Sequence, residues 1–269
     1  MTALRKMQMA VSQYWAVYLA GFIIAFGIKL FYSKAACGDL EWILAPTVWW
    51  IKAISGVAFE KAADVGYVNH HFRFIIAPAC SGVQFLIISF LTIVYSFVHR
   101  MGTIKRGFCW LAIGFVASYL FTIFVNGFRL IVSFHLLSFD TGSLWITAGR
   151  LHAMAGTAIF FVSLLVLYQI AGYVSLKSTR VEKQLPSNET IHHAGKPLWQ
   201  TAGRFLPPAF WYFAITLGIP LLNRASVNNS ENFWRYAAFQ TGVCLAIFAL
   251  LCLGSLLRKR CARQNKIGT

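Results

Sequence analysis

From Tyr14 to Phe31 one charged residue, Lys29, interrupts an otherwise apolar chain, and four later stretches of the same kind carry no charge at all. A helix needs roughly 20 apolar residues to cross a bilayer. Measured against that length, six candidate spans stand out: about 14–31, 80–98, 107–125 with an apolar continuation to 137, 153–174, a short one at 208–222 behind a Pro pair, and 234–257. Inside lipid every backbone amide must be satisfied within its own element, so such runs fold as helices. The predicted fold is therefore an all-α polytopic membrane protein with about six transmembrane helices. Composition agrees, because only 12% of the 269 residues are charged, about half the share that soluble surfaces carry. Mean hydropathy is +0.63.

The formal charge of +16 could suggest a nucleic-acid partner, but its placement argues for orientation instead. Fifteen of the 24 Lys and Arg residues fall before the first span, between spans two and three, between four and five, and after six. Six of the eight acidic residues, from Asp39 to Glu231, fall on the opposite side. The positive-inside rule then places both termini in the cytoplasm of a cell's inner membrane and assigns no nucleic acid. Arg5 and Lys6 before an apolar run resemble a signal peptide, yet the run is too long for one, so an uncleaved anchor is expected.

Between the first two spans, Trp42 to Phe59 is apolar and rich in Trp, as an interfacial helix would be. Residues 66–76 hold β-formers around Asn69-His70, predicting a short hairpin that leads to Pro78. The expected organisation is a membrane core at 1–175, a polar cytoplasmic linker at 176–205, and an appended hairpin with a basic tail at 206–269.

Three reactive side chains stand at the outer ends of these spans: Cys80 in Ala-Cys-Ser-Gly, Arg129 in Asn-Gly-Phe-Arg, and His152. At ~1.5 Å per residue, Cys80 to His99 is about 30 Å, Arg106 to Arg129 about 35 Å, and His152 to Lys177 about 38 Å. Each lies about one hydrocarbon thickness from the basic border, so the three can share a plane. A thiol at a helix start gains thiolate character. An imidazole can carry its proton to a leaving amine, and a guanidinium can hold an oxyanion. Asn126, one turn from Arg129, can orient the guanidinium or a substrate. Ala79, Ser81 and Gly82 leave room for a peptide to approach. Taken singly, each has a plainer reading: a packing cysteine, a snorkelling arginine, an interfacial histidine. His135 is a rival base, while His70 and His71 lie on the same outer side. No Cys, His or acidic spacing makes a metal site, and no cofactor is expected.

In order, interval and membrane side, Ala-Cys-Ser-Gly at 79–82, Asn-x-x-Arg at 126–129 and His152 make residues 10–175 resemble the exosortase/archaeosortase family of integral-membrane sorting enzymes. The resemblance implies Cys80 as nucleophile, Arg129 as transition-state stabiliser and His152 as acid and base. It also implies membrane-anchored protein substrates with a C-terminal sorting tail, cleaved at the extracytoplasmic face through a thioester and passed to an acceptor amine. A non-enzymatic scaffold or transport component is the competing expectation. The spans lack the buried acidic residues that mark ion paths, which weighs against transport. A thiol-dependent acyl or lipid transferase is a third.

Overall fold

The computed structural model describes residues 3–62, 65–137, 148–180, 205–223 and 230–264. Asp140, most of the expected linker with His192 and His193, and the last five residues lie outside them. The chain packs as two compact units, Met1–Lys183 and Gln184–Thr269.

In the first unit, α1 spans Ala3–Lys34, α2 Glu41–Ser55, α3 Val83–Phe97, α4 Ile104–Leu137 and α5 Ala148–Arg180. Three strands, β1 Glu60–Ala62, β2 Gly66–Asn69 and β3 Phe74–Ile76, form one antiparallel sheet in sequence order. The second unit holds α6, Leu206–Leu222, and α7, Ser230–Gln264. Among the described residues, five helical segments, in α1, α3 with its flanking 3-10 turns (Pro78–Arg100), α4, α5 and α7, are long and apolar enough to cross a membrane. The chain is thus an all-α membrane protein apart from the small sheet. The sixth expected span, α6, is shorter, and its middle widens into a π-turn at Ala214–Gly218. Pro220 has no N–H to give to the carbonyl four residues back, and the local ladder shifts to a wider turn. Gln240 Nε2 donates to Thr216 Oγ1 at 2.6 Å, joining α7 to that turn through a buried bond.

The first unit is built around α3, which is buried along almost its whole length. Contacts Phe85–Phe121, Phe90–Phe115 and Phe97–Trp110 run α4 antiparallel beside it. Phe85–Phe160 and Phe97–Tyr168 bring α5 against the same two rings, so α3, α4 and α5 pack on one another. The α3–α4 turn is tight because Thr103 caps α4, its Oγ1 accepting from Arg106 N–H at 3.4 Å. At this end Arg100 Nη1 donates to Ser175 Oγ (3.2 Å), and Gln13 Nε2 donates to the Gly102 carbonyl (3.2 Å). The beginning of α1, the α3–α4 turn and the end of α5 therefore meet in one layer.

The Trp-rich stretch expected as an interfacial helix forms a helix, α2, with Ile43, Leu44, Thr47, Val48 and Ile51 buried. It runs up the side of α4. Trp42 stacks on Tyr119 and its carbonyl accepts from the Tyr119 hydroxyl at 2.6 Å, while Trp50 reaches Phe124 and Gly127. Tyr119 precedes Asn126 by seven residues, so α2 begins about 10 Å below the level of Asn126. Its one-sided apolar face needs a partner, and the outward-open flank of α4 supplies it. The expected hairpin is β2 and β3, with Asn69 opposite Phe74. The third strand, β1, was not foreseen. Rings of Phe72 and Phe74 pack on Phe134 near the end of α4, which fixes the sheet where the chain enters Pro78.

Candidate functional site

Cys80 closes a 3-10 turn, Pro78–Cys80, held by bonds from Cys80 N–H to the Ala77 carbonyl (2.8 Å) and from Ser81 N–H to the Pro78 carbonyl (3.1 Å). The helix itself begins only at Val83. Cys80 thus stands three residues ahead of α3, and the expectation of a thiol at the helix start is corrected to a thiol in the preceding turn. Gly82, at φ +78°, makes the change of direction between turn and helix, a conformation in which a side chain is strained.

Gly82 has a second task. A Cβ there would meet Asn126 Cγ at 3.0 Å, so the missing side chain is the space that Asn126 fills. Asn126 is fully buried. Its Nδ2 donates to the Cys80 carbonyl at 2.8 Å, and its Oδ1 accepts from Arg129 Nη1 at 3.4 Å. Arg129 Nη2 lies 3.4 Å from His152 Nε2. A guanidinium only donates, so Nε2 accepts here and the ring proton sits on Nδ1. The four expected residues therefore form one chain of contacts: Cys80 main chain, Asn126, Arg129, His152. α3, α4 and α5 reach the same level at this end, as the distances along each span predict. Among the described residues, no hydrogen bond joins the Cys80 sulfur to Arg129 or His152.

Ser81 is fully buried and Gly82 is buried too. The room they were expected to leave for a substrate is occupied by Asn126, and of this motif only Ala79 is exposed while Cys80 is half-buried. His135 is exposed and packs on Phe134, and His70 and His71 are exposed near the turn between β2 and β3. None of the three joins the Asn126–Arg129–His152 chain. Among the described residues, no three His, Cys, Asp or Glu side chains gather as a metal site would require.

Sequence reasoning missed the groups that hold Arg129 in place. Its guanidinium carbon lies 5.1 Å from the Phe160 ring centre, and Phe160 stacks on Phe85 at 4.7 Å, giving a cation on a pair of rings. A Cβ on Gly156 would come within 2.9 Å of Arg129 Nε, so α5 can approach only because this position has no side chain. Ser133 Oγ donates back to the Arg129 carbonyl at 2.8 Å. His152, Gly156 and Phe160 follow one another at four-residue spacing, so this face of α5 was legible in principle. Gly127 against Trp50 was not, because nothing in the local sequence tells where α2 docks. There a Cβ would overlap the Trp50 indole.

No family model matches this chain, and neither does any curated protein or solved structure.

Proposed function

We propose that the protein is an exosortase-like cysteine transpeptidase or protease. In this reading it acts at the extracytoplasmic face of the cell's inner membrane on secreted proteins anchored by a C-terminal tail. The observation that carries the proposal is the contact chain from the Cys80 main chain through Asn126 and Arg129 to His152, built at one end of three adjacent helices. Its chemistry is consistent. As it stands, His152 spends its one free lone pair on Arg129. An incoming carbonyl oxygen draws the guanidinium away, which frees Nε2 to take the thiol proton. The sulfur then attacks the carbonyl carbon, Arg129 holds the oxyanion, and the leaving amine departs with the proton from His152. The thioester that remains is resolved by an acceptor amine or by water.

A second reading is favoured by one observation: the network reaches the carbonyl of Cys80 rather than its sulfur. Asn126 then serves as a clamp between α3 and α4, and the protein as a membrane scaffold. Co-expression with secreted proteins of the same genome that end in a shared short motif, an apolar helix and basic residues separates the two. The enzyme reading expects Cys80→Ala to abolish processing, and Arg129→Ala to slow it by about 10²–10³, with both variants retained in the membrane. Normal processing by Cys80→Ala ends the enzyme reading. Mass spectrometry of the group trapped on Cys80 distinguishes peptide from acyl transfer.

A further inference from the structure

Six buried hydroxyl groups in and just before α3 and in α4 have no hydrogen-bond partner among the described residues: Ser81, Ser89, Thr92 and Ser96 on one side, Ser118 and Thr122 on the other. Five of them belong to residues that are fully buried. Helical Ser and Thr in lipid commonly satisfy themselves by donating to a carbonyl one turn back, and elsewhere in this chain they do. Thr47, Ser55, Ser133, Ser175 and Thr216 each bond a carbonyl three or four residues earlier, at 2.7–2.8 Å. The six therefore depart from the chain's own habit, and they do so together.

Their positions are not scattered. Residues 89, 92 and 96 lie on one face of α3, and 118, 122 and 126 on one face of α4. The contacts Phe85–Phe121, Phe90–Phe115 and Ile93–Gly114 set a register in which Ser89 comes opposite Ser118. Along the axis, successive polar levels are Ser96, Thr92, Ser89 with Ser118, Thr122, and Ser81 with Asn126. The steps are about 4.5–6 Å by helical rise, close to twice an O–H···O distance of about 2.8 Å. One water between each pair of levels satisfies both neighbours. Buried polar groups with no protein partner are where internal water resides.

We infer that the α3–α4 seam, on the side that faces α5, binds a file of water molecules, running from the floor of the Cys80–Asn126 turn to the layer of Arg100 and Ser175. Fixed cations stand at its two ends, Arg129 above and Arg100 below. A guanidinium at a pore mouth opposes protons and cations, so the file hydrates the bundle's interior without conducting ions. The inference does not depend on the enzymatic reading: it concerns bound water and holds for a scaffold as well.

Radiolytic hydroxyl labelling of the full-length protein in detergent tests it, because bound water activated in place marks adjacent side chains. Label is expected on Phe85 and Phe90, buried rings beside the seam, and not on the equally buried Leu44 and Ile51. Ser89→Ala combined with Ser118→Ala and Thr122→Val is expected to lose the label on both rings. That variant is also expected to lower the melting midpoint by about 2–4 °C or more. Thr122→Ser keeps the hydroxyl and must keep the label, which guards against a variant that merely misfolds. Unlabelled rings, or a melting midpoint that rises when the hydroxyls are removed, mean a dry seam and overturn the inference. Label that persists in the hydroxyl-free variant overturns it as well, since the water then comes from elsewhere.

Discussion

α1 and α3 are both apolar enough to cross a membrane, yet 83% of the most apolar stretch of α3 is buried inside the protein, against 17% for α1. In water such a difference would follow from apolarity. In lipid it does not, because the acyl chains are as apolar as leucine and reward neither choice. Composition of the face decides instead. α1 turns Trp15, Leu19, Phe22, Ile23, Phe26 and Leu30 outward, whereas α3 carries Ser89 and Thr92, both buried, among residues that mostly face protein. Polar atoms within an apolar run mark the helix that must sit in the middle.

The most damaging test of this contrast is to remove a ring from each helix. Phe90→Ala, at a fully buried position of α3, is expected to cost about 3 kcal/mol through the cavity it leaves. Phe22→Ala on α1, a residue 55% exposed, is expected to stay within about 0.5 kcal/mol. Reversible unfolding in mixed micelles measures both. Equal costs would mean that α1 is packed as tightly as α3, and the contrast would fail. Next in size is Asn126→Ala, which leaves the Cys80 carbonyl without its partner and Arg129 without one of its acceptors. Stranding a buried polar group costs about 1–3 kcal/mol. The loss should fall on the α3–α4 contact at the site end and leave the Arg100–Ser175 layer intact, as hydrogen exchange resolved along α3 would report.

How much of this was readable beforehand follows the same division. Spans of α1, α3, α4, α5 and α7 were legible because lipid thickness sets helix length. The common level of Cys80, Arg129 and His152 was legible because helical rise is constant. The re-entry of α2 beside α4 was not, since an apolar face shows that a partner exists and not which one. Gly127 was equally silent: a glycine in an apolar helix gives no sign of the indole it admits. Cys80 was misplaced by three residues because Gly82, which separates turn from helix, was taken only as open space. β1 was missed because Glu-Lys-Ala is a poor strand sequence, and its pairing with β2 supplies what local propensity does not.

A smaller expected effect sharpens the contrast at the site itself. Gly156→Ala places a methyl group within 2.9 Å of Arg129 Nε. Overpacking of this kind costs about 1 kcal/mol where a flexible side chain can give way. A displaced guanidinium matters far more to the proposed chemistry, for which a misplacement of about 1 Å is worth roughly 10²-fold in rate. A variant that stays folded but loses processing by that factor supports a positioning role for this helix face. One that processes normally shows that Arg129 need not be where it is found.

The smallest effect belongs outside the bundle. Lys61 on β1 donates two bonds to Glu41 at the start of α2, at 2.8 and 2.9 Å, and both side chains are about half exposed. The hydrogen bond to Glu41 is the main cause that holds the Lys61 ammonium above the ordinary lysine range. A group whose pKa is raised on folding contributes fully below its unfolded pKa, and the contribution fades as pH rises through the raised value. The sheet's tie to α2 should therefore be unchanged across neutral pH, weaken only in strongly alkaline solution, and weaken with added salt at any pH because the pair is exposed. Protection of the Glu60–Ala62 amides, corrected for intrinsic exchange, is the measurement. Protection that falls between weakly acidic and neutral pH would show that Lys61 is not what holds the strand. The α3 amides should respond far less to salt and pH, since no ion pair among the described residues holds that helix.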